Sequence, residues 1–458
     1  MHTDIAIIGF GKAGKTIAAA AAKAGKKVVL IEKDPERYGG TCPNVACMPT
    51  KFLQHRAGLL RRSDALRGER TFEQRAADYA QAIADKRTLT AALRAGNFTK
   101  VDSLENASVL TGAARFVSDH ELEVTTADGE VSLTADAVVI NTGSSPKLPD
   151  IDGIAESARV VHSDGLMEIE TLPRRMGILG AGYIGKEFAG IYSAFGSEVT
   201  MLHSHAATLP REDDDDAAAI EANLAARGVK LELEARLVKV TDVDDETVLT
   251  YEVGGETREI AVDLLLVSTG RKPNVDGLGL ENTGVKLGDG GEVAVDDHLR
   301  TSVPGIWAAG DVKGGAQFTY VSLDDYRIIM PQLMGGEPGH DAEGRGAFPY
   351  TVFLDPPFSR VGHNEKSAAK AGIDVEVRGM PASAIPKAKV LGETDGHIKV
   401  LVDRESQAVV GATLFMAESH EVINFLTLAI NQGLTAEQVG NTMFNHPVMH
   451  EAFNELLG

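Results

Sequence analysis

Residues 4–32 read DIAIIGFGKAGKTIAAAAAKAGKKVVLIE, and this stretch decides the fold. A short apolar run stops at Gly9, an alanine-rich segment stops at Gly25, and a second apolar run stops at Glu32. That order predicts strand, turn, helix, strand. The turn is Gly9-Phe10-Gly11-Lys12-Ala13-Gly14. Gly9 permits the tight bend, Gly11 lets the backbone approach a pyrophosphate, and Gly14 lets helix and strand pack closely. The phosphates then lie at the helix N-terminus. Glu32, with Lys33 after it, stands about twenty residues on, where a carboxylate accepts hydrogen bonds from ribose hydroxyls. A lone GxGxxG is a weak signal; strand before, helix after and acid at this distance strengthen it.

The same grammar returns at 176–203, MGILGAGYIGKEFAGIYSAFGSEVTMLH, around Gly180, Gly182 and Gly185. Two units of this kind predict two nucleotide-binding domains of one architecture. The second strand ends in His203-Ser204-His205 without an acid. An acid there would hold a 2′-hydroxyl and favour NADH, so its absence tilts the site toward NADPH. Exposed loop residues are the plain alternative, and the only arginine nearby is Arg211. Residues 52–100 read as helical and 107–140 as short strands ending in ADAVVINTGSSP, which contains Thr142 and Gly143. VDLLLVSTGRKPN, 262–274, closes the second unit and contains Gly270. TSVPGIWAAGDV, 301–312, ends a buried strand in Gly310-Asp311, where the carboxylate could meet a sugar chain or cap a helix.

With 458 residues the chain predicts several domains. A net charge of -21 argues against nucleic acid, because phosphate repels such a surface. No run nears the ~18 apolar residues of a membrane helix. The N-terminus lacks the basic start of a signal peptide, so a cytoplasmic protein is expected. Asp213–Asp216 suggests a cation site or, better, a solvated helix start, since acids favour the positive end of the helix dipole.

Both cysteines lie in GGTCPNVACMPTK, residues 39–51. In a reducing compartment a close pair points to metal or redox chemistry rather than a structural bridge. There is no third cysteine and no histidine in the loop for a zinc tetrad, so no metal is expected and redox action is the reading. On a helix start Cys42 and Cys47 lie about one and a half turns apart, which a distorted first turn can bridge. The positive helix end also favours a thiolate.

Gly39-Gly40-Thr41-Cys42 through Cys47-Met48-Pro49-Thr50-Lys51 resembles the active-site signature of the flavoprotein pyridine-nucleotide-disulfide oxidoreductases. The likeness spans the chain, including both glycine motifs, INTGSSP, STGRKPN, Gly310-Asp311 and a C-terminal His-Pro motif. IIGFGKAGKT and YVSLDDYRI resemble the branch linked to bacterial resistance to reactive chlorine, whose members reduce hypothiocyanous acid. The resemblance implies two Rossmann-like α/β domains with a C-terminal α+β dimerisation domain. Its divisions would be FAD domain 1–150, NAD(P)H domain 151–262, a segment completing the FAD domain 263–345, and dimerisation domain 346–458.

By position, the first site would hold FAD, with Glu32 on its ribose, Asp311 near its ribityl chain, and Gly40 and Thr41 beside it. Cys47 would be the flavin-facing, charge-transfer thiol and Cys42 the interchange thiol that meets substrate. Lys51 would lie near the flavin and pair with Glu187, while Tyr183 would cover the flavin until nicotinamide displaces it. His446 and Glu451 would complete the neighbouring subunit's site in a homodimer. Chemically, thiol exchange needs an acid for the leaving group and a base for the nucleophile. His450 could tune that dyad or be an exposed helix residue.

The chain departs from mercuric reductases, which use added C-terminal cysteines, because it ends FNELLG. It departs from dihydrolipoamide dehydrogenases, with Phe444 and Val448 where histidine and threonine are usual. No cluster suits a bulky peptide disulfide. A small oxidant such as hypothiocyanous acid is expected, against a dihydrolipoamide dehydrogenase or low-molecular-weight disulfide reductase. Copper reduction remains open, although His203 and His205 lie too near the nucleotide site for a dedicated copper centre. A flavin-bound redox sensor is the reading outside enzymes.

Overall fold

In the computed structural model, which describes residues 1–458, the N-terminal unit is β1 (His2–Ile8), α1 (Lys12–Lys23) and β2 (Val28–Glu32). Both strands are buried on two faces, which is why they read as apolar runs rather than alternating ones. Gly9 has φ +105°, and a Cβ there would lie 2.2 Å from the Asn141 carbonyl oxygen, so only glycine serves. Then come α2 (Thr41–Val45), α3 (Cys47–Arg67) and α4 (Phe72–Asp102), the last opened by a Thr71/Gln74 capping box. The strands β3 (Ala107–Thr111), β4 (Ala113–Ser118), β5 (Glu121–Thr126) and β6 (Gly129–Ile140) follow.

The first sheet runs β3-β2-β1-β6-β5-β4. It is parallel from β3 to β6 and antiparallel from β6 to β4. Ile306–Ala308 pairs in parallel with the end of β6, bringing Gly310-Asp311 to the mouth of the first sheet from more than 160 residues away. The second unit repeats the plan in a five-stranded parallel sheet whose central strands are Glu198–Leu202, Arg175–Leu179 and Leu264–Val267. The C-terminal unit is a five-stranded antiparallel sheet from residue 350 to 415, covered by helices including Ser419–Asn431 and Ala452–Leu457.

The run Asp213–Asp216 corrects the expectation of a solvated helix start. It does open the helix Asp214–Ala226, but Asp213 and Asp216 are buried. Lys399 Nζ lies 3.2 Å from Asp213, 2.8 Å from Asp215 and 3.0 Å from Asp216. His397 Nε2 lies 2.6 Å from Asp216. The Asp213 carboxylate also accepts the N–H groups of Glu365 and Lys366, at the start of the helix Glu365–Ala371. The acids therefore join the second unit to the C-terminal one, and the cation they hold is a lysine.

Burial works against the Lys399 charge. Hydrogen bonds to Asp215 and Asp216 and the charge of Asp213 outweigh it and hold Lys399 above the ordinary lysine value. Its contribution is thus present below the ordinary value and lost as pH rises through the raised one. Lys399→Met should cost about 3 kcal/mol near pH 7, because it leaves buried carboxylates unpaired. Urea unfolding at pH 7 checks this; a variant as stable as wild type would show the acids to be solvated.

Candidate active site

Glycines seat the thiol loop. Gly40 has φ +82°, and a Cβ there would press to 2.8 Å from Gly11 Cα, so the loop lies against the first glycine turn. Asn44 Nδ2 donates to the carbonyls of Tyr38 and Gly40, and Arg94 donates to Asn44 Oδ1. Cys42 sits in the first turn of α2 and Cys47 opens α3. The expected single distorted helix start is two helices meeting at Ala46, whose φ -142° and ψ -101° break the spiral and fold the second thiol back on the first.

The two thiols are free and half-buried. The Cys47 thiol is the largest influence on Cys42 and outweighs its burial; with the Thr319 hydroxyl and the Lys15 charge it pulls Cys42 down to about 6. The Cys42 thiol, then burial, pushes Cys47 far up. Near neutral pH the pair can therefore share one negative charge and one proton, with Cys42 shifted down and Cys47 shifted up. Lys15 Nζ is fixed by Gly39 O at 3.1 Å and Asn97 Oδ1 at 2.8 Å. Thr319 Oγ1 lies 3.7 Å from Cys47 Sγ, at the start of the helix Thr319–Leu333.

Lys51, one turn into α3, places Nζ 2.6 and 2.7 Å from the Glu187 carboxylate oxygens and 4.4 Å from the centre of the Phe353 ring. Glu187 also accepts the Phe353 N–H at 2.8 Å. Tyr183, one turn before Glu187 on the helix Tyr183–Phe195, donates its hydroxyl to Glu212 and packs on Tyr350 at 5.8 Å. Glu212 is fully buried and also receives Tyr350 and Arg360.

The first nucleotide crevice is walled by polar groups. Asn141 Oδ1 accepts the Gly14 N–H at 2.9 Å and its Nδ2 donates to Ala309 O. Ser322 Oγ accepts the Ala13 N–H. Glu32 accepts the Phe10 and Asp34 N–H groups, while Lys33 is exposed. Thr142 and Gly143 are tied to Asn274, leaving Gly143 with open space where a side chain would project. Arg271 donates to Ser144, and Ser144 donates to Asp311 at 2.7 Å. A Cβ on Gly11 would collide with Asn141 Oδ1 at 2.5 Å, so the cradle stays free of side chains on this side. This is a fitting cradle for the diphosphate and sugar chain of a flavin dinucleotide.

In the second unit Gly180 has φ +99°, and Gly185 packs so closely that a Cβ would lie 2.2 Å from Gly180 O. Gly182 faces open space where a nucleotide can approach, as does Gly270. His203 Nδ1 accepts the Ala181 N–H at 3.4 Å and its Nε2 lies 3.1 Å from Ala207 O.

The C-terminal residues lie apart from this cluster within one chain. His446 is largely exposed; its Nδ1 lies 2.8 Å from Glu451 Oε1, and Glu451 Oε2 accepts the Val448 N–H. The His446 bond, then that N–H, lowers Glu451. His450 is neither exposed nor bonded to the dyad: its ring packs among Phe425, Phe444 and Phe453, and burial lowers its pKa. The sequence reading passed over Lys15, Thr319 and Asn141. Lys15 and Asn141 stand inside quoted motifs, but only the folded chain aims them.

Two family models match: pyridine nucleotide-disulphide oxidoreductase over residues 3–325, and the dimerisation domain of that family over 348–457. The chain is 40% identical over 450 residues to the probable pyridine nucleotide-disulfide oxidoreductase RclA of Escherichia coli, covering 98% of this chain and 97% of the relative. It is 32% identical to a dihydrolipoyl dehydrogenase of Geobacillus stearothermophilus, covering 98% and 94%. The Cu(II) complex of the HOCl-induced flavoprotein disulfide reductase RclA from Escherichia coli superposes with a TM-score of 0.92 at 38% identity, covering 100% of this chain and 99% of that one.

Lys15→Met should raise the Cys42 value from about 6 toward that of an ordinary thiol, because it removes a nearby positive charge. The pH dependence of iodoacetamide alkylation of the reduced protein measures it. An unmoved midpoint would assign the low value to Cys47, Thr319 and the Met48 N–H without Lys15.

Proposed function

The chain belongs to the pyridine nucleotide-disulphide oxidoreductase family, which uses FAD and NAD(P)H, and from that premise we propose that it reduces hypothiocyanous acid through Cys42 and Cys47. The observation that carries the reading is the free, half-buried thiol pair, with Thr319 3.7 Å from Cys47 and Lys15 fixed on the loop that carries Cys42. A thiolate held near 6 remains a nucleophile at neutral and mildly acidic pH. Thr319, 3.7 Å from Cys47, is flanked by Phe318 and Tyr320, whose rings stack at 5.1 Å.

Cys42 Sγ attacks the sulfur of hypothiocyanous acid; the new S–S bond forms as S–O breaks, and hydroxide takes a proton to leave as water. Cys47 gives up its proton and attacks the Cys42 sulfur, releasing thiocyanate and closing the Cys42–Cys47 disulfide. The thiols lose two electrons and the oxidant gains them. FAD, when bound, supplies the ring system through which an electron pair from NAD(P)H can return to the disulfide. Lys51, held by Glu187, provides positive charge at that side of α3. We assign the proton on the leaving oxygen to His446 of the neighbouring subunit: Glu451 holds its Nδ1 and leaves Nε2 exposed for exchange.

The test is NADPH and NADH oxidation by FAD-loaded protein with hypothiocyanous acid, oxidised glutathione, lipoamide or Cu(II). Fast catalytic turnover with hypothiocyanous acid, reduced about a thousandfold or more in Cys42→Ser, is expected. Preference for lipoamide or glutathione would replace the substrate, and a halt after one equivalent would indicate a sensor.

Subunit complementation checks the dyad. Cys42→Ser and His446→Ala proteins, each inactive, should regain about a quarter of wild-type activity after denaturation and joint refolding, because each mixed dimer holds one intact site. No recovery, with wild type refolding normally, would place His446 outside the neighbour's site.

A further inference from the structure

We propose that Lys186 selects NADPH over NADH, its buried ammonium serving as counter-charge for the adenosine 2′-phosphate beneath the loop 203–208. The inference rests on the second glycine motif being the nicotinamide nucleotide site.

Lys186 follows Gly185 directly on the helix Tyr183–Phe195. Its side chain is fully buried and its Nζ has no hydrogen-bond partner. The nearest carboxylate, Glu221 on the helix Asp214–Ala226, is 3.7 Å away. Glu221 is already engaged: its Oε1 accepts the Thr208 hydroxyl at 2.5 Å, at the far end of the same loop. A buried ammonium so poorly matched is costly, and a buried polar group without a partner points to one that is supplied from outside.

The loop says which partner. The two nucleotide units use equivalent positions at the ends of their second strands. In the first, Glu32 caps the Phe10 N–H with a carboxylate. In the second, His203 caps the Ala181 N–H with a ring nitrogen, and its other nitrogen faces Ala207 O as a donor. Those two contacts fix one neutral tautomer. Glu221, 3.7 Å from Lys186 Nζ, accepts the Thr208 hydroxyl, so the cation lies under the loop that follows this strand end, where a ribose 2′-substituent sits. His205 packs 5.5 Å from His203 and adds no acid. The strand end that repels a 2′-phosphate in an NADH site here carries no acid, and beneath it stands a buried ammonium held only loosely, at 3.7 Å, by one carboxylate. NADH offers that ammonium nothing, whereas NADPH offers an anion.

Steady-state rates with ferricyanide, which accepts electrons without the thiol pair, test this in the FAD-loaded dimer. Wild type should favour NADPH in kcat/KM by about tenfold or more. Lys186→Met should abolish that preference through the KM for NADPH, and Lys186→Arg should keep it. His203→Glu should shift preference to NADH. In wild type alone, 2′,5′-ADP should inhibit at least about tenfold more strongly than 5′-AMP, so the proposal can be judged even if Lys186→Met does not fold. Equal use of the two nucleotides by wild type, equal inhibition by the two adenosine phosphates, or a Lys186→Met protein with the wild-type ratio would overturn it. Flavin reduction by neither nucleotide would overturn the electron path itself, and this inference with it.

Discussion

Three parts of the chain meet at the Glu187 carboxylate. Lys51 comes from the thiol helix, Glu187 from the second nucleotide helix, and the Phe353 N–H and ring from the C-terminal unit. Such a carboxylate is stable in a half-buried place only while its donors stay in register, since desolvation would otherwise exceed the Coulombic gain. The apolar packing enforces that register. One core cluster contains Leu53 and Ala57 of α3, Tyr79 and Ile83 of α4, Phe188 and Tyr192 of the second nucleotide helix, and Val352, Phe358 and Phe415 of the C-terminal unit. A thiol pair mounted on that core cannot drift from either nucleotide site, which is what short-range electron and proton traffic requires.

The same constraint explains why one βαβ design serves twice. Each unit fixes its glycine turn with a side chain from a later strand: Asn141 beneath the first turn, Ser268 beneath the second. Each closes the turn from the end of its second strand, by Glu32 and by His203. The backbone solution is conserved between the halves, and the charge at the rim is what differs. Specificity can thus change without disturbing the phosphate cradle.

What the sequence revealed was what is local. The glycine turns, the strand ends and the thiol loop depend on φ angles and spacings within about thirty residues, and these sit where the pattern predicted. The helix break at Ala46 was passed over, although Pro49, in the first turn of the helix that follows, lacks the N–H that a continuous helix would bond to Val45. Lys15 near Cys42, Thr319 beside Cys47 and Ser322 under Ala13 were invisible because chain folding, not spacing, brings them there; the last pair is 309 residues apart. Asp213–Asp216 shows the limit most plainly. Four consecutive acids suggest solvent until a lysine from a distant sheet and a second helix N-terminus arrive to bury two of them. His450 failed for the reverse reason: its three aromatic neighbours are spread over residues 425–453, and an aromatic pocket leaves no charge pattern to read.

The thiols and the dyad make complementary demands on their surroundings. The Cys47 thiol, the Thr319 hydroxyl and the Lys15 charge together outweigh burial and lower Cys42. The pair can therefore supply a nucleophile without a histidine beside it. In the reaction proposed above, a leaving oxygen would still need a proton from a group oriented before substrate arrives. His446 would be such a group, with one nitrogen fixed by a carboxylate that is itself fixed by a backbone N–H, and the rest of the ring exposed. An imidazole oriented this carefully on an open surface has little to do for its own chain. Covered by a second copy, it would gain the low dielectric that makes its proton useful at the thiols of that copy.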